Sequence, residues 1–215
     1  MTVQIEPNTA SVLMEDVSWD YYSRTLEELG PSRGTRITFD QGRMEIRKTS
    51  ALHQRKRHVI ARLLETYAVE ADIAADGFGT LTLRREDLQV GLEPDDCYYV
   101  QTPPLPLSDV ELDFRLYPLP DLAIEIDVRD LAIPKMPIYE ALKIAEIWRY
   151  SSAGVTAFLC ASGGKYKASK KSLAFPNLDM VRFSEFVADA LENNEHESVK
   201  ALREWVRQSA KGRGK

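Results

Sequence analysis

Apolar and polar positions along the chain change period several times, and each change marks an element. Trp19 to Leu29 carries apolar residues at helical spacing, with Ser18 as N-cap and Gly30-Pro31 as the stop. The period then drops to two. In Thr35-Arg36-Ile37-Thr38-Phe39 and Met44-Glu45-Ile46 the apolar residues alternate, and Asp40-Gln41-Gly42 between them supplies turn chemistry, so this stretch is a β-hairpin. Val59, Ile60, Leu63, Leu64 and Tyr67 then form the stripe of a long second helix running from Leu52 to about Ala71.

Alternation resumes in Phe78-Gly79-Thr80-Leu81-Thr82-Leu83, and Glu93-Pro94-Asp95-Asp96 leads into another strand through Cys97-Tyr98-Tyr99-Val100. After a proline-rich loop from Thr102 to Pro120 comes the most strand-like run of the chain, Leu122 to Val128. Pro134 and Pro137 bracket a helix start at Lys135, the helix runs to about Ala141, and Ala145 to Tyr150 returns to strand. Val155 to Cys160 and Lys165 to Lys167 form a hairpin around Gly163-Gly164, and helices over Ser184 to Glu192 and Glu195 to Ser209 complete the pattern. The expected fold class is α/β (α+β): a mixed central sheet flanked by helices, in one domain over residues 1–215 with an N-terminal helix and hairpin and a C-terminal helical extension.

Composition narrows the classes. With 44% hydrophobic and 28% charged residues in 215, the chain is an ordinary globular one. Cys97 and Cys160 belong to no zinc-type spacing and are expected as reduced, buried thiols. No secretory leader pattern opens the sequence and no apolar run reaches the roughly 20 residues that span a bilayer, so a cytoplasmic protein with no membrane partner is expected. A net charge of -5 excludes coating of nucleic acid through a global positive field. Any such contact has to come from local patches, for which Arg55, Lys56 and Arg57, the pair Arg84 and Arg85, Lys165, Lys167, Lys170 and Lys171, and the tail Lys211, Arg213 and Lys215 are the candidates, with solvated surface as the alternative for each.

The acidic residues carry the chemistry. Alternation along a strand puts Ala123, Glu125 and Asp127 on one face and Leu122, Ile124, Ile126 and Val128 on the other. Adjacent carboxylates on one face repel, so they need water, a cation or basic partners. With Asp95 at the start of a neighbouring strand, a magnesium-type site of hard oxygens is one outcome. An acidic, solvated face of an edge strand is the other.

Glu93-Pro94-Asp95, then Pro120-Asp121-Leu122-Ala123-Ile124-Glu125-Ile126-Asp127, then Lys135, Ile138-Tyr139 and Glu146-Ile147-Trp148-Arg149-Tyr150 resemble, in this order, the Uma-two family of restriction endonucleases within the PD-(D/E)XK superfamily. The resemblance starts near the Phe39 to Met44 hairpin, includes His53 and Thr80 to Arg84, and extends through Phe175-Pro176. It implies a restriction-endonuclease-like fold. By position, Asp95 matches the metal-binding aspartate and Glu125 the acid of the (D/E)XK half-motif. The lysine of that half-motif stands two residues after the acid, where this chain has Asp127. Lys135 matches a lysine that the family often shows at the start of the next helix, a place from which a long stem would be able to reach back to the site. Asp127 is then a third metal ligand or a partner of Lys135.

His53 shares a helical face with Ile60 and Tyr67 and is either a core histidine or a supporting residue beside the metal. The chain departs from the family at Gln54, where an acid often stands, at Lys143-Ile144, where the family has Gly-Val, and at Arg129 to Ala132. The resemblance implies metal-dependent hydrolysis of phosphodiester bonds, in DNA before RNA. Mg2+ or Mn2+ would be held by Asp95, Glu125 and Asp127, with catalysis by Asp95, Glu125 and Lys135. The rival expectation is a nuclease fold that no longer cleaves and serves as a binding or oligomerisation module, with a homodimer as one form.

Overall fold

The computed structural model describes residues 2–5, 11–30, 34–103, 112–126 and 131–213. In chain order these form β1 (Thr2–Ile5), β2 (Ser11–Glu15), α1 (Trp19–Leu29), β3 (Thr35–Asp40), β4 (Arg43–Lys48), α2 (Ala51–Glu70), β5 (Asp76–Gly77), β6 (Leu83–Arg85), β7 (Val90–Leu92) and β8 (Asp96–Tyr99). There follow β9 (Leu122–Ile126), α3 (Lys135–Leu142), β10 (Glu146–Ser151), β11 (Gly154–Cys160), β12 (Tyr166–Ser169), α4 (Met180–Glu192) and α5 (Glu195–Arg213). The strands make two six-stranded sheets. The first has the order β1-β2-β4-β3-β7-β6 and is antiparallel throughout. The second, β12-β11-β10-β9-β8-β5, is mixed, because β9 and β10 run parallel. Parallel neighbours need a crossover, and α3 provides it.

Local chemistry accounts for most of these elements. The Ser18 hydroxyl accepts from the Tyr21 amide at 3.2 Å and starts α1, and Ser50 does the same for α2 through His53 at 3.1 Å. Gln41 and Gly42, with φ of 49° and 84°, give the β3–β4 hairpin the left-handed two-residue turn that its twist requires. α1 packs on the first sheet through Trp19, Tyr22 and Phe39, with the Tyr22 and Phe39 rings stacked at 4.8 Å. Gly91 makes this approach possible, since a side chain there would overlap the Tyr22 ring. β2 escapes a periodicity reading because both of its faces are apolar: Leu13 enters one core, Val12 and Met14 another.

Two cores sandwich the second sheet. On one face Leu122, Ile124, Ile126 and Trp148 pack with the apolar stripes of α2, α4 and α5. On the other, Ala123 and Ile147 share a core with Ile138, Tyr139 and Leu142 of α3 and with Leu83, Val90 and Leu92 of the first sheet. β9 is therefore buried on both faces, not a solvated edge. Among the described residues no helix is long and apolar enough to cross a membrane. Cys97 is buried, and burial pushes its thiol up, whereas Cys160, expected in the core, is partly exposed.

The expected strand over Phe78 to Leu83 is corrected. The chain pairs at Asp76–Gly77 in the second sheet and again at Leu83–Arg85 in the first, and between them it crosses from one sheet to the other. Gly79, at φ 63°, breaks the extended run, and the Thr80 and Thr82 hydroxyls turn to Asp95 O and Glu93 Oε1 at 3.4 and 2.9 Å. The chain crosses back between β7 and β8. Pro94 sits in that crossing, where its missing N–H ends a ladder at no cost. Glu93-Pro94-Asp95 thus lies on the seam between the sheets.

Candidate active site at the seam

Asp95 leaves the seam with its amide donating to Ile124 O at 3.0 Å, so its backbone is tied to β9. Its side chain folds along the same strand, Oδ2 accepting from the Ile126 amide at 2.8 Å and lying 3.1 Å from His53 Nε2. Arg36 Nε, from the first sheet, stands 4.0 Å from Oδ1. One strand away, Glu125 points to the same side as Ala123. Lys135, the first residue of α3, returns to it across ten residues, with Nζ at 2.9 and 2.8 Å from Glu125 Oε1 and Oε2 and 3.0 Å from Glu93 O. Tyr139, one helical turn on, donates to Glu125 Oε1 at 2.5 Å. Glu93 holds the seam itself, accepting from the Ile37 amide and the Thr82 hydroxyl, both at 2.9 Å.

Exposure rises outward through the group. The side chains of Glu125, Asp95 and Lys135 are 3%, 4% and 9% exposed, those of Arg36 and His53 14% and 19%, so the site opens on the side of the last two. Arg36 Nε and His53 Nδ1 are buried without a hydrogen-bond partner among the described residues.

Burial alone would raise the Asp95 carboxyl, but the His53 hydrogen bond and the Lys135 charge outweigh it and hold the group below its ordinary value. Glu125 goes the other way: complete burial raises it, and Lys135 and Tyr139 offset only part. Burial also opposes the Lys135 charge, yet Glu125 and Asp95 outweigh it, so the ammonium is held above the ordinary lysine value and stays protonated at neutral pH. The Tyr139 phenol is pushed well above its ordinary value by burial and by the adjacent Glu125.

A family model described as "Putative restriction endonuclease", Uma2, matches residues 19–192. The chain belongs to the Uma2 family. At the level of that family its activity class is a nuclease, a hydrolase acting on nucleic acid, and the two sheets and five α-helices among the described residues are compatible with a restriction-endonuclease-like fold. A comparison with curated protein sequences returns no match.

Of the residues that the Uma2 pattern singles out, Asp95, Glu125, Lys135 and His53 come together in this one group. Asp127 lies outside the described residues. The basic candidates of the first two patches do not join it, and each has a contact of its own. Arg55 pairs with Glu195, Arg57 Nη1 lies 3.1 Å from Asp96 Oδ2, and the Lys56 ammonium sits 5.5 Å from the Tyr150 ring. Arg84 donates to the Ser23 hydroxyl at 3.2 Å, and Arg85 forks onto Asp87 at 2.8 and 2.6 Å. Asp96, next to Asp95 but on the opposite side of β8, is pushed up to about 6 by burial, against the pull of Arg57. Gln54, where Uma2 members often carry an acid, bonds Thr49 at 2.9 Å, away from the group.

Three members of the group were not legible from spacing: Glu93, Arg36 and Tyr139. Tyr139 carries the clearest missed signal, since it lies four residues after Lys135 on the same helical face.

Whether a hard cation fits can be judged from the donors. The two Glu125 oxygens and the Glu93 carbonyl converge on Lys135 Nζ, with the Asp95 charge beside them, and what they hold is a cation, the ammonium. Oxygen donors of this kind suit Mg2+ or Mn2+. Among the described residues no cluster of three or more His, Cys, Asp or Glu side chains is arranged as a metal site, so the fit rests on two carboxylates, a carbonyl and water.

Proposed function

We propose that the chain is a metal-dependent endonuclease hydrolysing phosphodiester bonds, with DNA as the first substrate class. The observation that carries this reading is the return of Lys135 to Glu125. The half-motif lysine is missing from β9, yet an ammonium stands 2.8 Å from the acid, delivered from the next helix. A lysine placed only for solvation would lie outside; this one is buried beside two acids.

Asp95 and Glu125 would hold Mg2+ or Mn2+, with Asp127 as a third ligand. When bound, the ion would polarise a phosphate oxygen and lower the pKa of an attacking water. The chain's own residues do the rest. Lys135, kept protonated, offers charge to the phosphorus-bound oxygens as they become more negative. His53 orients Asp95, and the Arg36 guanidinium, its Nε 4.0 Å from Asp95 Oδ1, adds positive charge beside the acid. Arg55, Lys56, Arg57, Arg84 and Arg85 would meet the flanking backbone by exchanging their internal partners for phosphates.

The second reading, a binding module without cleavage, is favoured by one observation: both Glu125 oxygens are already bonded, to Lys135 and Tyr139. Supercoiled plasmid and short duplexes incubated with Mg2+ or Mn2+ separate the two. Nicking or linearisation that disappears in Asp95→Asn and Glu125→Gln supports the enzyme. A mobility shift with intact DNA, across metals, supports the module and sinks the enzyme.

A further inference from the structure

The Lys135 side chain is useful only if the start of α3 is fixed, and α3 starts badly. Its N-cap is Pro134, which makes no side-chain cap hydrogen bond, and the residue that must be placed is the very first of the helix. Helices normally draw stability from such a cap, and without one the first turn frays. Here the backbone just before the helix is gripped from another element. β4 runs past it in the first sheet. Glu45 Oε2 accepts from the Ile133 amide at 3.1 Å, and Arg43 Nη2 donates to the Ala132 carbonyl at 3.1 Å. Residues 43 and 45 share one side of β4, so the two form a pair of opposite charge presented to the C=O and the N–H of the one peptide group that joins Ala132 to Ile133.

Glu45 is 2% exposed, and its Oε1 is buried without a hydrogen-bond partner among the described residues. A packed strand facing an apolar neighbour has no need of a carboxylate, and an aliphatic residue would be less costly there. We infer that Glu45, assisted by Arg43, is a positioning residue for Lys135: it holds the backbone two residues upstream and so sets where the ammonium falls against Glu125. For its kinetic consequence this rests on the nuclease reading above; for its structural consequence it does not.

Acylation of lysines by an N-hydroxysuccinimide ester, followed by peptide mass spectrometry, tests it on the full chain. Lys200, 55% exposed at its side chain, serves as internal reference and the buried Cys97 thiol as a monitor of general loosening. Glu45→Leu should speed Lys135 acylation relative to Lys200 by roughly tenfold or more, with Cys97 alkylation unchanged. Glu45→Gln, which keeps an acceptor for the Ile133 amide, should restore most of the protection. In cleavage, Glu45→Leu should lower kcat by roughly tenfold or more and leave KM within about twofold. Unchanged Lys135 protection in Glu45→Leu overturns the inference, as does a rise in Cys97 alkylation that keeps pace with Lys135. Should Glu45→Leu fail to fold, Arg43→Met, at a partly exposed position, is read in the same way, and unchanged Lys135 protection there overturns it too. Absence of cleavage by the wild type removes the nuclease reading alone, and the acylation result still decides the role of Glu45.

Discussion

Replacing Lys135 by Met tests how far the buried acid depends on its partner. The substitution keeps the apolar stem and deletes the ammonium that touches both Glu125 oxygens and Glu93 O. Glu125 is 2% exposed, so its charge would be left with only the Tyr139 hydroxyl. Breaking one partner of a buried pair costs about 3–5 kcal/mol. For a chain of this size that corresponds to a fall in Tm of roughly 6–20 °C. The pH dependence has a definite sign. Without Lys135, the folded-state pKa of Glu125 rises further above its unfolded value, so its contribution is fully present below the unfolded pKa and is lost as pH rises through the folded one. Lys135→Met should therefore lose more stability at pH 8 than at pH 5. In Lys135→Met with Glu125→Gln the Glu125 charge is removed together with its partner, while Asp95 keeps His53 and Arg36, and most of the loss at pH 8 should return. Urea denaturation of the four proteins at both pH values provides the cycle. A single variant within about 1 kcal/mol of wild type at both pH values, or a double variant no better than the single, would refute the reasoning.

Isothermal titration with Mn2+ should show binding to the wild type that is lost in Asp95→Asn with Glu125→Gln; equal heats in both would remove these two as ligands. Glu146 is fully buried and accepts from Trp148 Nε1, the Ser172 hydroxyl and the amides of Leu173 and Ala174 at 2.6–3.1 Å, so Glu146→Ala should cost about 3 kcal/mol or more by chemical denaturation, whatever happens to cleavage. Lys143 closes α3 at φ 59°, where the Uma2 pattern has glycine, so Lys143→Gly should raise stability by about 1 kcal/mol in the same assay.

Where the chain carries a strong period or a specific cap, its sequence was sufficient. α1 and its Ser18 cap, the Gln41-Gly42 hairpin, α2 and β9 all fall where the pattern puts them. The division of strands between two sheets was not legible. It depends on which partner Asp76–Gly77 and Leu83–Arg85 find, and two- and three-residue strands have no period to read. The same holds for the site. Asp95, Glu125 and Lys135 stand out because they lie in ordered motifs along one chain. Arg36 and Glu45 join them only through the docking of the first sheet on the second, which no spacing records. The Glu-x-Trp segment, legible as a family mark, has a structural meaning: Glu146 binds the loop that carries Phe175 into the core.

The placement of Glu93-Pro94-Asp95 on the seam gives the site acids spaced by one sheet and cations brought to them from outside it. Asp95 and Glu125 are spaced by the hydrogen bonds between adjoining strands of one sheet, down to the Asp95 amide on Ile124 and its carboxylate on Ile126. Their separation can change only if that ladder does. The cations arrive differently, on the longest side chains available, Lys135 from a helix and Arg36 from the opposite sheet, each with several rotatable bonds. Of the two, Lys135 is held by three hydrogen bonds, so any accommodation to an arriving polyanion falls on Arg36. A slight slide of one sheet over the other would retune Arg36 while leaving the acids in register.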